Sequence, residues 1–332
     1  MSVAVENGLT TVSAAGKEPM IEVSGLRKFY GDFEALKGIS FSVGVGEIVG
    51  FLGPNGAGKT TTMKILTGFI SATEGSFRVA GFDGFRESLE VRRRIGYLPE
   101  NAPLYPDMGI VEYLHFVCDI RRIPRSIRRQ RIDKMVSVCG LTPMIRKNIG
   151  ELSKGYKRRV GLAQALIHEP PVLILDEPTS GLDPNQIVEI RKLIKELGQE
   201  RTIILSTHNL PEVQMTCSRI IIIANGAKVA DGTAEELEVA GRQSHRFLLT
   251  LGLSEGFTAA SAVDSLNSVG GVQSVQALSE DAVAATLAVD FDGDAEGGEL
   301  IFSHAVANQW RVRELKRDIM DLEKVFHQLT QY

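Results

Sequence analysis

Apolar segments of strand length alternate with helical segments through the chain up to about residue 230. The predicted strands cover 21–23, 41–43, 47–52, 75–82, 96–98, 172–176 and 202–206. The predicted helices cover 59–68 and 186–197, and the pattern is helical over most of 107–169. Strands that alternate with helices form a parallel sheet with helices on both faces, so we expect this architecture here. Two apolar runs, 220–224 and 227–230, flank Asn225-Gly226 and predict a β-hairpin.

A different pattern follows after about Ala240. Strands are predicted at 246–251, 272–278, 283–289 and 310–315, and helices at 259–269, 299–308 and 319–329. The order β-α-β-β-α-β-α is that of a small ferredoxin-like α+β domain. The length of 332 residues fits two domains of roughly 150 residues each. We therefore expect a loose tail over 1–18, a first domain over 19–240 with a helical subdomain at about 107–169, and an accessory domain over 241–332.

Composition and charge exclude several classes of protein. No apolar run approaches the ~18 residues of a membrane span. Residues 1–18 lack the basic start and apolar stretch of a signal peptide. The cysteines, Cys118, Cys139 and Cys217, show neither disulfide nor zinc spacing, which fits a reducing cytosol. The net charge of −4 argues against a general nucleic-acid-binding protein.

Charge is uneven along the chain. The segment 121–134 has a local balance of +6, and the segment 280–299 holds seven acidic residues and no basic one. Each run can be a solvated face. The basic run can also contact anionic lipid headgroups or an acidic partner loop.

The clearest chemical signal lies at residues 53–60. The sequence Gly53-Pro54-Asn55-Gly56-Ala57-Gly58-Lys59-Thr60 fits the phosphate-binding pattern G-x-x-x-x-G-K-[ST]. Its glycines let backbone N–H groups approach phosphate oxygens, and the helix that follows directs its positive end at the same anion. Lys59 is expected to contact the β- and γ-phosphates, Thr60 to bind Mg²⁺, and Thr61 to help hold the phosphates.

An acid pair ends the buried strand predicted at 172–176. Asp176 and Glu177 follow the apolar run Val172-Leu173-Ile174-Leu175. A strand of this kind holds a carboxylate rigidly at its tip, beside the phosphate loop. Asp176 is placed to bind the water shell of Mg²⁺, and Glu177 to orient or deprotonate the attacking water.

Five shorter segments accompany the glycine-rich loop and the acid pair. They are Phe29-Tyr30-Gly31, Gly96-Tyr97-Leu98-Pro99-Glu100, Leu152-Ser153-Lys154-Gly155-Tyr156, Ser180-Gly181-Leu182-Asp183-Pro184 and Ser206-Thr207-His208. With these segments in this order, the sequence from about Ile21 to about Ala240 resembles the ATP-binding subunits of ABC transporters. The resemblance implies a P-loop α/β nucleotide-binding domain that binds ATP and Mg²⁺ and hydrolyses ATP.

The resemblance also implies roles for single residues. Tyr30 stacks on adenine, Asp183 belongs to the D-loop that links two nucleotide sites, and His208 contacts the γ-phosphate and the attacking water. Glu100 stands where most of the family has glutamine; a carboxylate still binds Mg²⁺ or its water, but it cannot donate a hydrogen bond as an amide does.

The segment at 152–156 corresponds to the family's signature. The resemblance implies that Ser153, Lys154, Gly155 and Tyr156 face the γ-phosphate held by a second copy of the chain. Two of these residues, Lys154 and Tyr156, depart from the usual motif. Lys154 either adds charge toward the phosphate or points to solvent.

The residues within these motifs are similar to those of one branch of the family. The runs LPENAPLYPDM and LSKGYKRRVGLAQAL, together with the ending Leu322-Glu323-Lys324-Val325-Phe326, resemble ATPases of ABC-2-type exporters, especially those associated with gliding motility. The resemblance implies a cytoplasmic ATPase, peripheral on the inner face of the cell membrane. It would dimerise with a second copy and power export through a separate transmembrane permease, which docks on 107–169.

Two other functions compete with this interpretation. A soluble ABC ATPase acting on ribosomes or DNA would usually carry two cassettes or long coiled coils, whereas this chain has one motif set and no heptad array. A nucleotide sensor without hydrolysis is opposed by the presence of Glu177 and His208. The transported substrate cannot be inferred from these residues.

Overall fold

The computed structural model describes residues 19–241, 245–253, 257–281, 283–291 and 297–317, together with 323, 326 and 330. The predicted tail at 1–18 lies outside the described residues, as does the predicted helix 319–329 apart from 323 and 326. The chain divides into two compact units, Met1–Asp231 and Gly232–Tyr332. None of the helices in the described ranges is long and apolar enough to cross a membrane.

Ten strands lie in the described residues up to Gly232. They are β1 (Ile21–Tyr30), β2 (Phe33–Val43), β3 (Ile48–Leu52), β4 (Glu74–Val79), β5 (Phe82–Asp83), β6 (Ile95–Leu98), β7 (Val172–Asp176), β8 (Thr202–Thr207), β9 (Arg219–Ala224) and β10 (Ala227–Gly232). The helices between them are α1 (Lys59–Leu66), α2 (Ser88–Arg94), α3 (Ile110–Ile120), α4 (Arg125–Val138), α5 (Lys154–Leu166), α6 (Pro184–Gly198) and α7 (Leu210–Thr216), with short 3₁₀ helices at Thr142–Met144 and Ile149–Glu151.

A six-stranded sheet forms the centre of the first unit, in the order β10-β9-β3-β8-β7-β6. The pairs β9–β3, β3–β8, β8–β7 and β7–β6 are parallel, which confirms the parallel sheet predicted from the sequence. Asn225 and Gly226 both adopt positive φ between β9 and β10, as the hairpin prediction requires. The parallel strands β3, β7 and β8 end at the same edge of the sheet, so the segments after them meet there.

The two faces of this sheet pack into two different apolar cores. Along β7, Leu173 and Leu175 pack with the helical region, whereas Val172 and Ile174 pack with α1 and a second, antiparallel sheet. Successive strand residues point to opposite faces, so a strand buried on both faces must be apolar at every position. This requirement explains why the run before Asp176 is continuous rather than alternating.

The antiparallel sheet has the order β2-β1-β4-β5. The sequence predicted only short strands at its start, 21–23 and 41–43, but the structure extends both into one long hairpin that turns at Gly31-Asp32. Buried apolar residues continue into the middle of both strands, at Leu26, Leu36 and Ile39, but charged residues and glycines separate them and the register shifts near Leu26. No unbroken or strictly alternating apolar run therefore marks the middle of these strands.

The helical region predicted at about 107–169 contains α3, α4, both 3₁₀ helices and α5. Residues Tyr113, Met135 and Leu162 belong to the core that these helices share with the sheet. Two helices of seven residues each, α2 and α7, were not predicted. Segments of that length give too few turns for a clear helical period.

The second unit contains helices α8 (Ala234–Gly241), α9 (Ala259–Leu266) and α10 (Gly297–Ala307), and strands β11 (His245–Gly252), β12 (Val272–Glu280), β13 (Ala284–Phe291) and β14 (Arg311–Arg317). Its sheet is ordered β12-β13-β11-β14 with antiparallel pairs, which is the predicted ferredoxin-like topology. Leu249, Leu287 and Ile301 lie at its apolar core. Helix α8 was not predicted as an element; its residues up to Ala240, which the predicted boundary assigned to the first domain, belong to this unit in the structure.

Candidate functional site

A cleft of about 430 Å³ lies at the carboxyl ends of the central strands. Its lining residues are Tyr30, Phe33, Ala35, Asn55, Gly56, Gly58, Lys59, Thr60, Thr61, Glu100, Glu177, Ser180 and His208. Ten of these were predicted from the sequence as site residues: all but Phe33, Ala35 and Ser180. The rest of the glycine-rich loop, Gly53, Pro54 and Ala57, does not line the cleft. The Gly53 N–H donates to the Thr207 carbonyl at 3.3 Å, and the Ala57 carbonyl accepts from the Gly226 N–H at 3.1 Å, so these two residues hold the loop to β8 and to the β9–β10 turn.

The glycine-rich loop adopts a backbone that other residues would distort. A Cβ on Gly53 would lie 2.3 Å from the carbonyl oxygen of Ile223, so the loop packs directly on the β9 backbone. Gly58 has a φ of +104°, and a Cβ there would lie 2.6 Å from Leu36 Cδ2. These two glycines allow a tight turn immediately before α1, whose first-turn N–H groups point toward the cleft.

Lys59, the first residue of α1, is a buried cation at the floor of the cleft. Its Nζ donates hydrogen bonds to the carbonyl oxygens of Gly53 at 2.7 Å and Pro54 at 3.1 Å, and it lies 3.7 Å from Glu177 Oε1. Burial lowers the pKa of Lys59, while the charges of Glu177 and Asp176 oppose that change. The lysine therefore supplies positive charge in a desolvated place, where its attraction for an anion is strong.

Asp176 ends β7 fully inside the protein. Its Oδ1 accepts hydrogen bonds from Thr60 Oγ1 at 3.3 Å and from the Ser206 hydroxyl on the neighbouring strand β8. The helix α1 and the strand tips of β7 and β8 are thereby joined by one carboxylate. The predicted metal residues Asp176 and Thr60 are brought together, and Glu100 lines the same cleft.

Glu177 has an unusual backbone and a fixed carboxylate. Its φ of +47° lies in the left-handed region that non-glycine residues rarely adopt, and such strain is often found at functional sites. Both carboxylate oxygens lie 3.0 Å from Nδ1 of His208, and its backbone N–H donates to the Ser206 carbonyl at 3.1 Å. Glu177 is buried, whereas the His208 side chain is 54% exposed and can reach a ligand in the cleft.

The mouth of the cleft is aromatic. Tyr30 and Phe33 are cross-strand partners at the end of the β1–β2 hairpin, and both are exposed. Lys28 Nζ lies 5.2 Å from the centre of the Tyr30 ring. Tyr30 was predicted from the sequence as a site residue, and Phe33 was not. Phe33 follows Tyr30 by three residues, on the other side of a turn, and this position was a usable signal.

The segment at 153–156 lies against the D-loop, and of these two segments only Ser180 lines the cleft. Ser153 caps α5, accepting a hydrogen bond from the Tyr156 N–H at 3.4 Å, and Asp183 caps α6 in the same way for Gln186 at 2.9 Å. A Cβ on Gly155 would lie 2.6 Å from Gln186 Oε1, so the starts of these two helices touch. Lys154 Nζ occupies the space beside Gly181, which places it over the D-loop of its own chain.

Two buried charged residues near the cleft were not predicted from the sequence. Glu212, on α7, accepts hydrogen bonds from Thr179 Oγ1 at 2.6 Å and Thr207 Oγ1 at 2.8 Å, and burial raises its pKa. Arg158, on α5, contacts the backbone of Glu177 and of Glu100. Neither belongs to a motif with a recognisable spacing, so only the tertiary structure identifies them.

Three residues of the basic run at 121–134 pair with acids outside the run. Arg128 pairs with Asp119, while Arg131 and Lys134 both pair with Glu169 at 2.8 Å. These two acids offset only part of the local charge of +6 within the fold.

The donor set at the strand tips suits Mg²⁺. This ion prefers oxygen ligands, takes only one or two carboxylates from the protein, and keeps waters and substrate phosphates for its other positions. The Thr60 hydroxyl and the Asp176 carboxylate, 3.3 Å apart, are such a pair. Across the described residues no cluster of three or more His, Cys, Asp or Glu could hold a metal by itself.

Comparison with known proteins agrees with this geometry. The family model described as "ABC transporter" matches residues 36–180, and a model of an AAA domain overlaps it at 148–215. The chain is 38% identical over 236 residues to the uncharacterized ABC transporter ATP-binding protein YxlF of Bacillus subtilis, covering 71% of this chain and 77% of that protein. It is 37% identical over 233 residues to the bacitracin transport ATP-binding protein BcrA of Bacillus licheniformis, covering 70% and 75%.

Solved structures show the same fold. An ATP-binding subunit of an ABC transporter superposes with a TM-score of 0.61 at 29% identity, covering 67% of this chain and 93% of that one. The ATP-binding cassette MJ0796, solved as a dimer in a post-hydrolysis state with ADP and Pi, superposes with a TM-score of 0.59 at 25% identity, covering 64% and 98%. The fold and the sequence similarity therefore agree, and the chain belongs to the family of ABC transporter ATP-binding proteins.

Proposed function

We propose that this chain is the ATP-hydrolysing subunit of an ABC-2-type membrane exporter, of the kind associated with gliding motility. Two copies would close on two ATP molecules and drive a separate transmembrane permease at the inner face of the membrane. The single observation that supports hydrolysis most directly is the convergence of Lys59, Glu177 and His208, with Glu177 3.7 Å from the lysine and 3.0 Å from the imidazole.

Each side chain of the cleft has a distinct task in this proposal. Lys59 and the N–H groups around Gly58 bind the β- and γ-phosphates, with Thr61 beside them. Glu177 orients the attacking water and accepts its proton, and His208 keeps the Glu177 carboxylate aimed while its exposed edge meets the γ-phosphate. Tyr30 stacks on the adenine.

The Thr60 hydroxyl and the Asp176 carboxylate would hold Mg²⁺, with Glu100 as a further oxygen donor or a partner of a bound water. The ion supplies charge neutralisation for the phosphate oxygens when it is bound. The Asp176 carboxylate is held in place by its hydrogen bonds from Thr60 and Ser206. Those bonds fix its position before any ligand arrives, which reduces the cost of binding.

The second copy is needed to complete the site. Ser153, Lys154, Gly155 and Tyr156 are not among the residues that line the cleft of their own chain. They cap a helix whose N-terminus can meet a γ-phosphate presented by a partner. Asp183 and Gly181 lie beside this segment, so closure of two copies would bring the D-loop of each to the interface.

The membrane partner and export are supported by similarity. BcrA is named a bacitracin transport protein, and another relative, at 38% identity, is named for daunorubicin resistance. The helical region containing α3 and α4 is the proposed docking surface for the permease. Association of this kind would hold the chain at the inner face of the membrane.

The proposal is tested first on the isolated chain. Glu177→Gln should abolish most turnover, by about 10²-fold to 10⁴-fold, while it traps an ATP-dependent dimer. Glu196→Gln, an exposed glutamate on α6, is the matched control and should keep wild-type rates. Fast turnover in Glu177→Gln would remove Glu177 from its role. Lys59→Ala should lose ATP binding, and unchanged affinity would contradict the loop assignment.

The partner is tested by purification of the chain from detergent-solubilised membranes of its own cell. A polytopic protein that stays bound through washing supports transport. Co-purification of ribosomal RNA or DNA instead would favour the competing function, an ABC ATPase acting on ribosomes or DNA.

A further inference from the structure

A buried arginine ties three parts of the nucleotide site together. Arg158 lies on α5, two residues after the segment 153–156, and only 5% of its surface is exposed. Its Nη1 donates to the carbonyl oxygens of Pro99 at 3.0 Å and Glu100 at 2.7 Å. Its Nη2 donates to the carbonyl oxygen of Glu177 at 3.1 Å. One guanidinium therefore spans the loop after β6, the loop after β7 and helix α5.

All three of these partners are main-chain carbonyls. A buried cation usually pairs with a carboxylate, because an unpaired charge is costly away from water. Burial lowers the pKa of Arg158, and the charges of Glu100, Asp176 and Glu177 oppose that change. The guanidinium stays charged, so it both satisfies the carbonyls and faces the acidic side of the cleft.

Arg158 holds the loops that follow β6 and β7, which carry the site residues Glu100 and Glu177. Glu177 sits at φ +47°, and its peptide is fixed by Ser206 on the N–H side and by Arg158 on the carbonyl side. A strained backbone persists only where its surroundings hold it. Release of the carbonyl would let the Glu177 peptide relax, and the carboxylate would move away from His208 and Lys59.

We propose that Arg158 is a positioning residue that fixes Glu177 for hydrolysis and couples it to Glu100 and to the helix α5. The proposal rests on the function proposed above, in which Glu177 activates water. Movement of α5 or of the Glu100 loop would then reach Glu177 through one side chain. Lys59 and Tyr30, which are proposed to bind the phosphates and the adenine, lie outside both loops, so we expect ATP binding to depend less on Arg158 than water activation does.

Lysine is the informative replacement. It keeps the positive charge and much of the length, but a single ammonium cannot reproduce a planar fork that reaches carbonyls on two loops. Arg159 is the matched control, since it is the next residue on the same helix. Its Nη1 donates to the Cys139 carbonyl at 3.0 Å and its Nη2 pairs with Glu189 at 2.6 Å, away from the cleft.

The experiment compares Arg158→Lys with Arg159→Lys in the full chain. ATP affinity is measured with a fluorescent ATP analogue, kcat and KM from steady-state ATPase assays, and folding from far-UV circular dichroism. We expect kcat of Arg158→Lys to fall by about tenfold to a hundredfold, with the dissociation constant for nucleotide within about threefold of wild type. Arg159→Lys should keep both values. If Arg158→Lys does not fold, Arg158→Gln, which keeps an N–H donor, replaces it in the same comparison.

A double variant tests whether Arg158 acts through Glu177. In a Glu177→Gln background, Arg158→Lys should lower the residual rate by less than about twofold, because the group that it positions is already gone. Three results would overturn the proposal while leaving the ATPase function intact. They are an additive loss of kcat in the double variant, an equal loss of kcat in Arg159→Lys, and a kcat that Arg158→Lys leaves unchanged. A wild-type chain that hydrolyses no ATP would overturn the ATPase function itself.

Discussion

The partly buried imidazole of His168 predicts a loss of stability in mild acid. His168 lies between α5 and β7, where its Nε2 is 3.0 Å from the Ile95 carbonyl oxygen. Its Nδ1 is buried, with no hydrogen-bond partner in the described part of the chain. Burial, together with the nearby charges of Arg121 and Arg131, lowers the pKa of His168 to about 4. The folded chain therefore favours the neutral imidazole with the proton on Nε2.

The size of the effect follows from the two pKa values. The unfolded chain binds a proton near pH 6.5 and the folded chain near pH 4, so stability is lost as the pH falls through this window. The full cost below pH 4 is about 3 kcal/mol, and about 2 kcal/mol of it appears between pH 7 and pH 5. At a pH well above 6.5, His168 is neutral in both the folded and the unfolded chain, so its charge has no effect on stability.

The assay is urea unfolding, followed by far-UV circular dichroism at pH 7 and at pH 5. We compare wild type with His168→Gln, whose amide can still donate to the Ile95 carbonyl but does not titrate. The fall in unfolding free energy from pH 7 to pH 5 should be about 2 kcal/mol smaller in the variant. His115→Gln, the same substitution at an exposed position on α3, should leave the fall unchanged.

Equal pH dependence in wild type and His168→Gln would refute the reasoning. That result would mean that the imidazole becomes protonated in the folded chain without a penalty, and that neither burial nor the two arginines controls its charge. A similar change in His115→Gln would likewise show that the effect does not belong to the buried site.

Three further predictions concern the loop, the second unit and the buried glutamate. Gly58→Ala should weaken nucleotide binding by about tenfold, because φ +104° and the Leu36 contact strain any side chain there, whereas Gly109→Ala, with open space around it, should bind normally in the same titration. Leu249→Ala should destabilise the second unit by about 2–4 kcal/mol, followed by the fluorescence of Trp310, the single tryptophan of the chain. The unfolding free energy of Glu212→Gln should rise relative to that of wild type as the pH rises above 4.5. The raised pKa of Glu212 means that its buried charge destabilises the folded wild-type chain in this range, and the amide carries no charge. Parallel pH profiles of the two proteins in urea unfolding would contradict this.

Motifs with a fixed spacing were predictable because their chemistry acts locally. The turn from Gly53 to Gly58 needs its glycines whatever surrounds it, and a strand buried on both faces needs the unbroken apolar run before Asp176. The ferredoxin-like order of the second unit followed in the same way from the alternation of strand and helix patterns. The long β1–β2 hairpin was not predictable, because charged residues and glycines interrupt the apolar positions in the middle of both strands.

The amino-acid sequence by itself determined the parallel sheet, the phosphate loop and the identity of the acids and the histidine, because each depends on residues that are neighbours in the chain. Only the tertiary structure decided that Glu177 is strained and held by Ser206 and Arg158, and that Glu212 joins the segment after β7 to the end of β8. The contacts of Glu177 with Ser206 and Arg158, and of Glu212 with Thr179, connect segments 19 to 33 residues apart in the chain, and no local pattern encodes them. They arise when the sheet brings the ends of β6, β7 and β8 to one edge.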